Sequence, residues 1–142
     1  MYLDIVFEPF SVLAPLFIRL ALAWVFIAHG YAKLFTTKPG VLGFSGVLRD
    51  HNVPFPFLFA LLIGVEEFFG GVALFIGIAT RWTALILTVS LILAILKLTY
   101  KKGFTRTDGA GYEFDVVLLA GTLTLLVMGP GSISVDWILG VR

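Results

Sequence analysis

Four apolar runs separated by polar intervals constrain this chain more than any motif in it. Val12 to Phe35, Phe55 to Thr80, Trp82 to Thr99 and Tyr112 to Met128 are built mostly from Leu, Ile, Val, Phe and Ala. About 20 helical residues cross the apolar core of a bilayer, so each run is close to the length of one span. None shows the polar stripe of a surface helix, and the charges at their ends can snorkel toward the headgroups. Composition agrees: 13% of the 142 residues are charged, 59% are hydrophobic and the mean hydropathy is +1.03. A soluble domain has about 25% charged and about 45–50% apolar residues, so this chain lacks the polar surface to wrap a core in water. The expected fold is all-α: one polytopic integral membrane domain, an antiparallel four-helix bundle with spans near 12–35, 55–80, 82–99 and 112–128.

Start and stop signals support that division. Pro15 lies near the start of the first span, where its missing N–H is harmless, and Pro54 and Pro56 frame the start of the second. Gly77 to Arg81 is a short turn, which makes the second and third spans a hairpin. Gly129-Pro130-Gly131 ends the fourth, and the tail 129–142, with Asp136 beside Trp137, is expected to lie at the interface. Met1 to Phe10 has Asp4 and Glu8 but no basic cluster, unlike a cleavable signal peptide. Lys33, Lys38, Arg49, Lys97, Lys101, Lys102 and Arg106 fall on loops one and three, against Arg19, Arg81 and Arg142 opposite. The positive-inside rule then places both termini outside a cell membrane, with loops one and three cytoplasmic.

The absence of cysteine excludes disulfides, thiolate metal sites, iron–sulfur clusters and dithiol redox chemistry. A net charge of +1 gives no reason to expect a nucleic-acid partner. No metal-binding, phosphate-binding or nucleophile motif is present. The charges within the spans are the informative residues, because each costs roughly 2.5–3.5 kcal/mol at a helix centre and needs a partner, a cavity or a task. Glu66 and Glu67 fall near the middle of the second span. They diverge by about 100°, so Glu67, on whose side the pair Gly70-Gly71 lies, is expected to face the interior, and Glu66 a neighbouring helix's seam, a lipid boundary or a subunit interface. Arg19 and Lys33 share one face of the first span with His29 nearby, and Tyr112, Glu113 and Asp115 open the fourth. The expected polar interior comprises Arg19, His29, Lys33, Glu67, Tyr112 and Glu113.

The ordered segments RLALAWVFIAHGYAKLF, EEFFGGVALFIGIATR, GFTRTDGAGYEFDVVLLA and GPGSISVD make nearly the whole chain resemble the DoxX family of small four-helix membrane proteins. The resemblance rests on Arg19, Gly30 and Lys33, on Glu67, Gly70, Gly71, Gly77, Thr80 and Arg81, on Gly103, Tyr112 and Glu113, and on Gly129, Pro130, Gly131, Ser134 and Asp136. Many relatives have a histidine near the end of the third span, where this chain has Thr99. The related DoxD proteins look like membrane subunits of thiosulfate:quinone oxidoreductase, so the resemblance implies quinone-linked redox chemistry. On that reading Glu67 and Glu113 are the expected proton-handling groups, and Arg19, His29, Lys33 and Tyr112 the expected quinone-binding groups. A second redox subunit or a homo-oligomer is the expected partner besides the lipid bilayer. Two other classes fit the same charges: a scaffold whose buried ion pairs only fix helix register, and a small-solute carrier or channel.

Overall fold

A computed structural model of the chain describes residues 2–38, 40–105 and 111–141. Arg106 and Arg142, counted above for orientation, lie outside the described residues, as does the side chain of Asp4. Helix α1 (Tyr2–Phe7) runs through a 3₁₀ stretch (Glu8–Leu13) into α2 (Ala14–Leu34), with Pro15 in its first turn, where no helical hydrogen bond is lost. There follow α3 (Gly40–Asp50), α4 (Pro56–Ile76) and α5 (Thr80–Ala94), which continues as a π-helical turn (Ile95–Thr99) and a 3₁₀ turn (Tyr100–Lys102). Helices α6 (Glu113–Met128) and α7 (Val135–Ile138) complete the chain. Ile5–Leu34, Pro56–Ile76 and Thr80–Lys102 are long and apolar enough to cross a membrane, and α6 adds 16 further apolar-rich residues.

Contacts fix the bundle's topology. Along α2 and α4, Gly30 faces Phe68 and Ile27 faces Gly71, so the two run antiparallel. Ser90 pairs with Glu66 across α4 and α5, Thr88 with Thr122 across α5 and α6, and His29 stacks on Phe114 across α2 and α6. Each neighbour is antiparallel, which gives an up-down-up-down ring of α2, α4, α5 and α6. A β-carbon on Gly30 would lie 2.3 Å from the Phe68 backbone nitrogen, so only glycine lets these two helices come so close. The core is formed by Leu22, Ala23 and Phe26 of α2, Leu74 of α4, Ala84, Leu87 and Leu91 of α5, and Leu118 and Leu125 of α6. Trp24, Phe69, Trp82, Val117 and Val127 point outward, the apolar surface expected of a body solvated by lipid. The Thr88–Thr122 hydrogen bond, at 2.9 Å, satisfies two buried hydroxyls where no water would do so.

Helix α3 was not expected: the interval Thr36 to Pro54 reads as turn formers and lysine, yet Gly40–Asp50 forms an 11-residue helix packed on α4 and α2. Its apolar side chains, Phe44 and Leu48, gain burial only because α2 and α4 present a surface there. Tertiary packing of this kind overrides weak local propensity.

The opposite end of the bundle is locked by the tail. Arg19 is only 2% exposed, and its guanidinium donates to the carbonyls of Pro130 and Ile133, each at 2.6 Å. Gly77 ends α4 at φ +72°, and a β-carbon there would lie 2.6 Å from the Arg19 guanidinium. The Asp136 carboxylate accepts the backbone N–H groups of Ala79 and Thr80, both at 2.8 Å, and so caps α5 from a distant part of the chain. Arg81 donates to the carbonyls of Leu126 and Val127, where a cation complements the helix dipole. Asp136→Ala is expected to lower stability by about 1–2 kcal/mol, the scale of a lost N-cap. Asp136→Asn, which keeps one acceptor, should lose about half as much, and thermal unfolding in detergent measures both.

Candidate functional site

Adjacent residues on α4 diverge by about 100°, and α4 lies between α2 and α5. Glu67 therefore meets α2, where its carboxylate forms an ion pair with Lys33, both side chains being 15% exposed. Glu66 turns to α5, where its Oε2 accepts from the Ser90 hydroxyl at 2.7 Å. Of the positions expected for Glu66 it takes the seam with a neighbouring helix and not the lipid boundary, because α4 has two protein neighbours rather than one. Its Oε1 is buried and has no hydrogen-bond partner among the described residues. Of the two glycines expected on the side of Glu67, only Gly71 lies there, against Ile27 of α2; Gly70 is about 100° away and faces Leu87 of α5.

Both glutamates line a cavity of about 520 Å³ at the end of the bundle covered by α3. His29 and Lys33 come from α2, Phe44 and Leu48 from α3, and Ser90 from α5. Lys97 and Thr99 come from the π turn, Phe114 and Asp115 from α6. The Lys33 ammonium also sits 4.6 Å from the centre of the Phe44 ring, a cation–π contact that ties the α3 cover to the ion pair. The π turn displaces the register of the third span at the cavity wall, and such turns recur at functional sites. Thr99 there donates to Asp115 at 2.9 Å, linking the turn to the start of α6.

Three of the expected site residues come together here: His29, Lys33 and Glu67. Arg19 does not join them. It lies 14 residues before Lys33, roughly 20 Å along the helix, and serves the tail instead. Tyr112 stacks on Tyr100 and meets Phe104 edge-on before α6, and Glu113 accepts from Thr105 at 2.8 Å, so both close that loop and neither lines the cavity. Asp115, two residues and about 200° further on, takes the inward position. Sequence reasoning left Ser90, Lys97 and Thr99 out of the site. Lys97 and Thr99 could have been flagged by their place near the end of an apolar run, whereas nothing in the sequence marks the π turn that aims them.

Comparison with known proteins supports the same family. The DoxX family model matches residues 14–100. CatD of Bacillus subtilis, provisionally named an oxidoreductase, is 29% identical over 124 residues, covering 87% of this chain and 85% of CatD. A membrane protein of Mycobacterium tuberculosis is 31% identical over 128 residues, covering 84% of this chain and 77% of that one. The inner membrane protein YqjF of Escherichia coli is 29% identical over 124 residues, with 87% and 90% covered. No solved structure matches. An all-helical bundle with three helices able to cross a bilayer, a family model spanning more than half its length and membrane-named relatives make one conclusion: the chain is a membrane protein that belongs to the DoxX family.

Proposed function

We propose that the protein is the membrane subunit of a quinone-linked redox system and that the cavity beneath α3 takes the quinone head. The observation that carries this reading is the pairing of Lys33–Glu67 with a second carboxylate, Glu66, whose Oε1 is buried and unpartnered in the same cavity. A network that only fixed register would use its acceptors, since a buried carboxylate oxygen without a partner destabilises the fold.

The residues present fit a quinone. A volume of about 520 Å³ falls in the usual range for small-molecule sites, and Phe44, Phe59 and Phe114 supply flat apolar walls. Lys33 and His29 can donate to a ring carbonyl. The quinone when bound supplies the two-electron, two-proton acceptor chemistry. Lys33, steadied by Glu67 and by the Phe44 ring, orients a carbonyl oxygen, and its proton can be replaced through Glu67. Glu66 offers a second site for proton exchange from within the membrane, while α3 limits access of water. The reading assigns the electrons to a donor on a second protein; this chain has no cysteine with which to form a redox dithiol of its own. CatD's provisional oxidoreductase name favours the same class of reaction. By the positive-inside rule the end bearing Lys38, Arg49, Lys101 and Lys102 is cytoplasmic, which opens the cavity toward that side.

A scaffold role is the second reading, and one observation favours it: Lys33–Glu67, Glu66–Ser90 and Thr99–Asp115 each join two elements of the bundle, as register-fixing contacts would. Titration of a short-chain ubiquinone into detergent-purified protein tests the first reading. Saturable binding is expected, and Glu67→Gln should weaken it by about tenfold, equivalent to one good charge-assisted contact. No saturable binding by the wild type, with Glu67→Gln lowering only the melting temperature, would leave the scaffold.

A further inference from the structure

We infer that the groove between α4 and α5 is a side exit from the cavity, in which the apolar tail of a lipid-soluble quinone lies while its head is held beneath α3. The inference rests on the quinone reading above and adds the class of ligand: one with a long hydrocarbon tail, delivered from the bilayer rather than from water.

A second hollow, of about 470 Å³, runs along the outer face of these helices, lined by Val65, Phe69, Gly70, Ala73, Thr83 and Ile86. Leu62, Glu66 and Leu87 belong to its wall and to the wall of the inner cavity. These three side chains are the partition between the two spaces, and in it Glu66 is held through Oε2 by the Ser90 hydroxyl. Val65, Phe69 and Ile86 are exposed on the surface that faces lipid. Only Glu66 and Thr83 in this lining carry polar side-chain atoms, so a polar ligand would find almost no partner there, whereas a hydrocarbon chain needs none.

Gly70 keeps the groove open, and packing does not demand a glycine there. A β-carbon on it would lie 3.4 Å from Thr83 Cγ2 and 3.6 Å from Leu87, ordinary contact distances. This contrasts with Gly30, where the same atom would strike backbone at 2.3 Å. The absence of a side chain at Gly70 leaves room in the groove one turn along α4 from Glu66, on the same helix face.

The test compares two probes in detergent-purified full-length protein: a ubiquinone with a decyl tail, and the same benzoquinone head with a methyl group in place of the tail. Gly70→Leu and, from the facing helix, Ile86→Trp fill the groove, and Gly70→Ala serves as the folding control. Each filling variant should weaken binding of the tailed probe by about tenfold, the burial of about two methylenes, and change the tail-less probe less than about twofold. Two results would overturn the side exit while leaving the cavity reading intact. One is tailed and tail-less probes binding wild type equally, with no effect of filling, as when a lipid acyl chain occupies the groove. The other is an equal loss for both probes. Failure of both probes to bind the wild type removes the cavity reading and the side exit with it. Variants are compared only where their unfolding transitions match that of Gly70→Ala.

Discussion

Arg19→Leu is expected to destabilise the protein by about 3–5 kcal/mol. The guanidinium is buried and donates to two carbonyls of the tail, Pro130 and Ile133. Each carbonyl left unsatisfied costs about 1–3 kcal/mol, and the shorter side chain leaves a void against Gly77 and Ser134. Release of the tail would also withdraw Asp136 from the first turn of α5, so the two losses should not add independently. Arg19→Lys keeps the charge but cannot present a planar fork to two carbonyls, and should recover only part of the loss. Ligand affinity at the cavity should change little in folded Arg19→Lys, because the two ends are roughly 20 Å apart along α2. Unfolding in mixed detergent micelles measures the stability, and a loss below about 1 kcal/mol for Arg19→Leu would show that the tail is held by other contacts.

The distinction between the two ends shows what was legible in the sequence. Apolar runs became α2, α4, α5 and α6 because run length against bilayer thickness leaves little choice of element. The ion pair of Lys33 with Glu67 was foreseeable from opposite charges at membrane depth on consecutive spans, together with the Gly70-Gly71 pair, of which Gly71 does lie against α2. Arg19 was assigned to the same polar interior because it shares a helical face with Lys33. Helical phase gives direction around an axis, but 14 residues of rise put the two groups at different ends, and depth decides which partners they meet. The role of GPGSISVD was likewise hidden. Its carbonyls and Asp136 act on Arg19 and on the start of α5, contacts more than 50 residues away in sequence that no local rule reports.

Glu66 and Asp115 show the opposite limit. Both were visible as charges in or at the ends of spans, and helical phase separated Glu66 from Glu67, whereas at the start of α6 the sequence favoured Glu113 over Asp115 for the interior. The sequence alone could not say which of two diverging carboxylates faces protein, because that depends on how many helices surround α4 and α6. With α4 packed between α2 and α5, both of its glutamates have protein to face. At the start of α6, the loop that closes through Tyr112, Phe104 and Thr105 draws Glu113 to itself and leaves Asp115 for Thr99. The cavity exists in its observed form because α3 covers it and a π turn borders it, and neither has a sequence signature at this length.

Replacement of both charges of the central pair separates a binding site from a packing device. Lys33→Met alone or Glu67→Leu alone strands one charge at membrane depth, and each should destabilise by about 3–5 kcal/mol. The double variant removes the stranded charge, and should return to within about 1 kcal/mol of wild type or exceed it, as hydrophobic replacements of buried pairs often do. The coupling between the two sites, read from the four-way comparison, is therefore expected to be large, about 5 kcal/mol or more. Quinone binding should follow a different pattern. A site that needs the Lys33 donor and the Glu67 carboxylate stays empty in the double variant even though the fold is restored. If the pair serves only to align α2 with α4, the double variant should be indistinguishable from wild type in ligand titration as well as in stability. Stability that recovers while binding does not is the result that assigns these charges to chemistry, since restored packing then accompanies lost recognition in the same molecule.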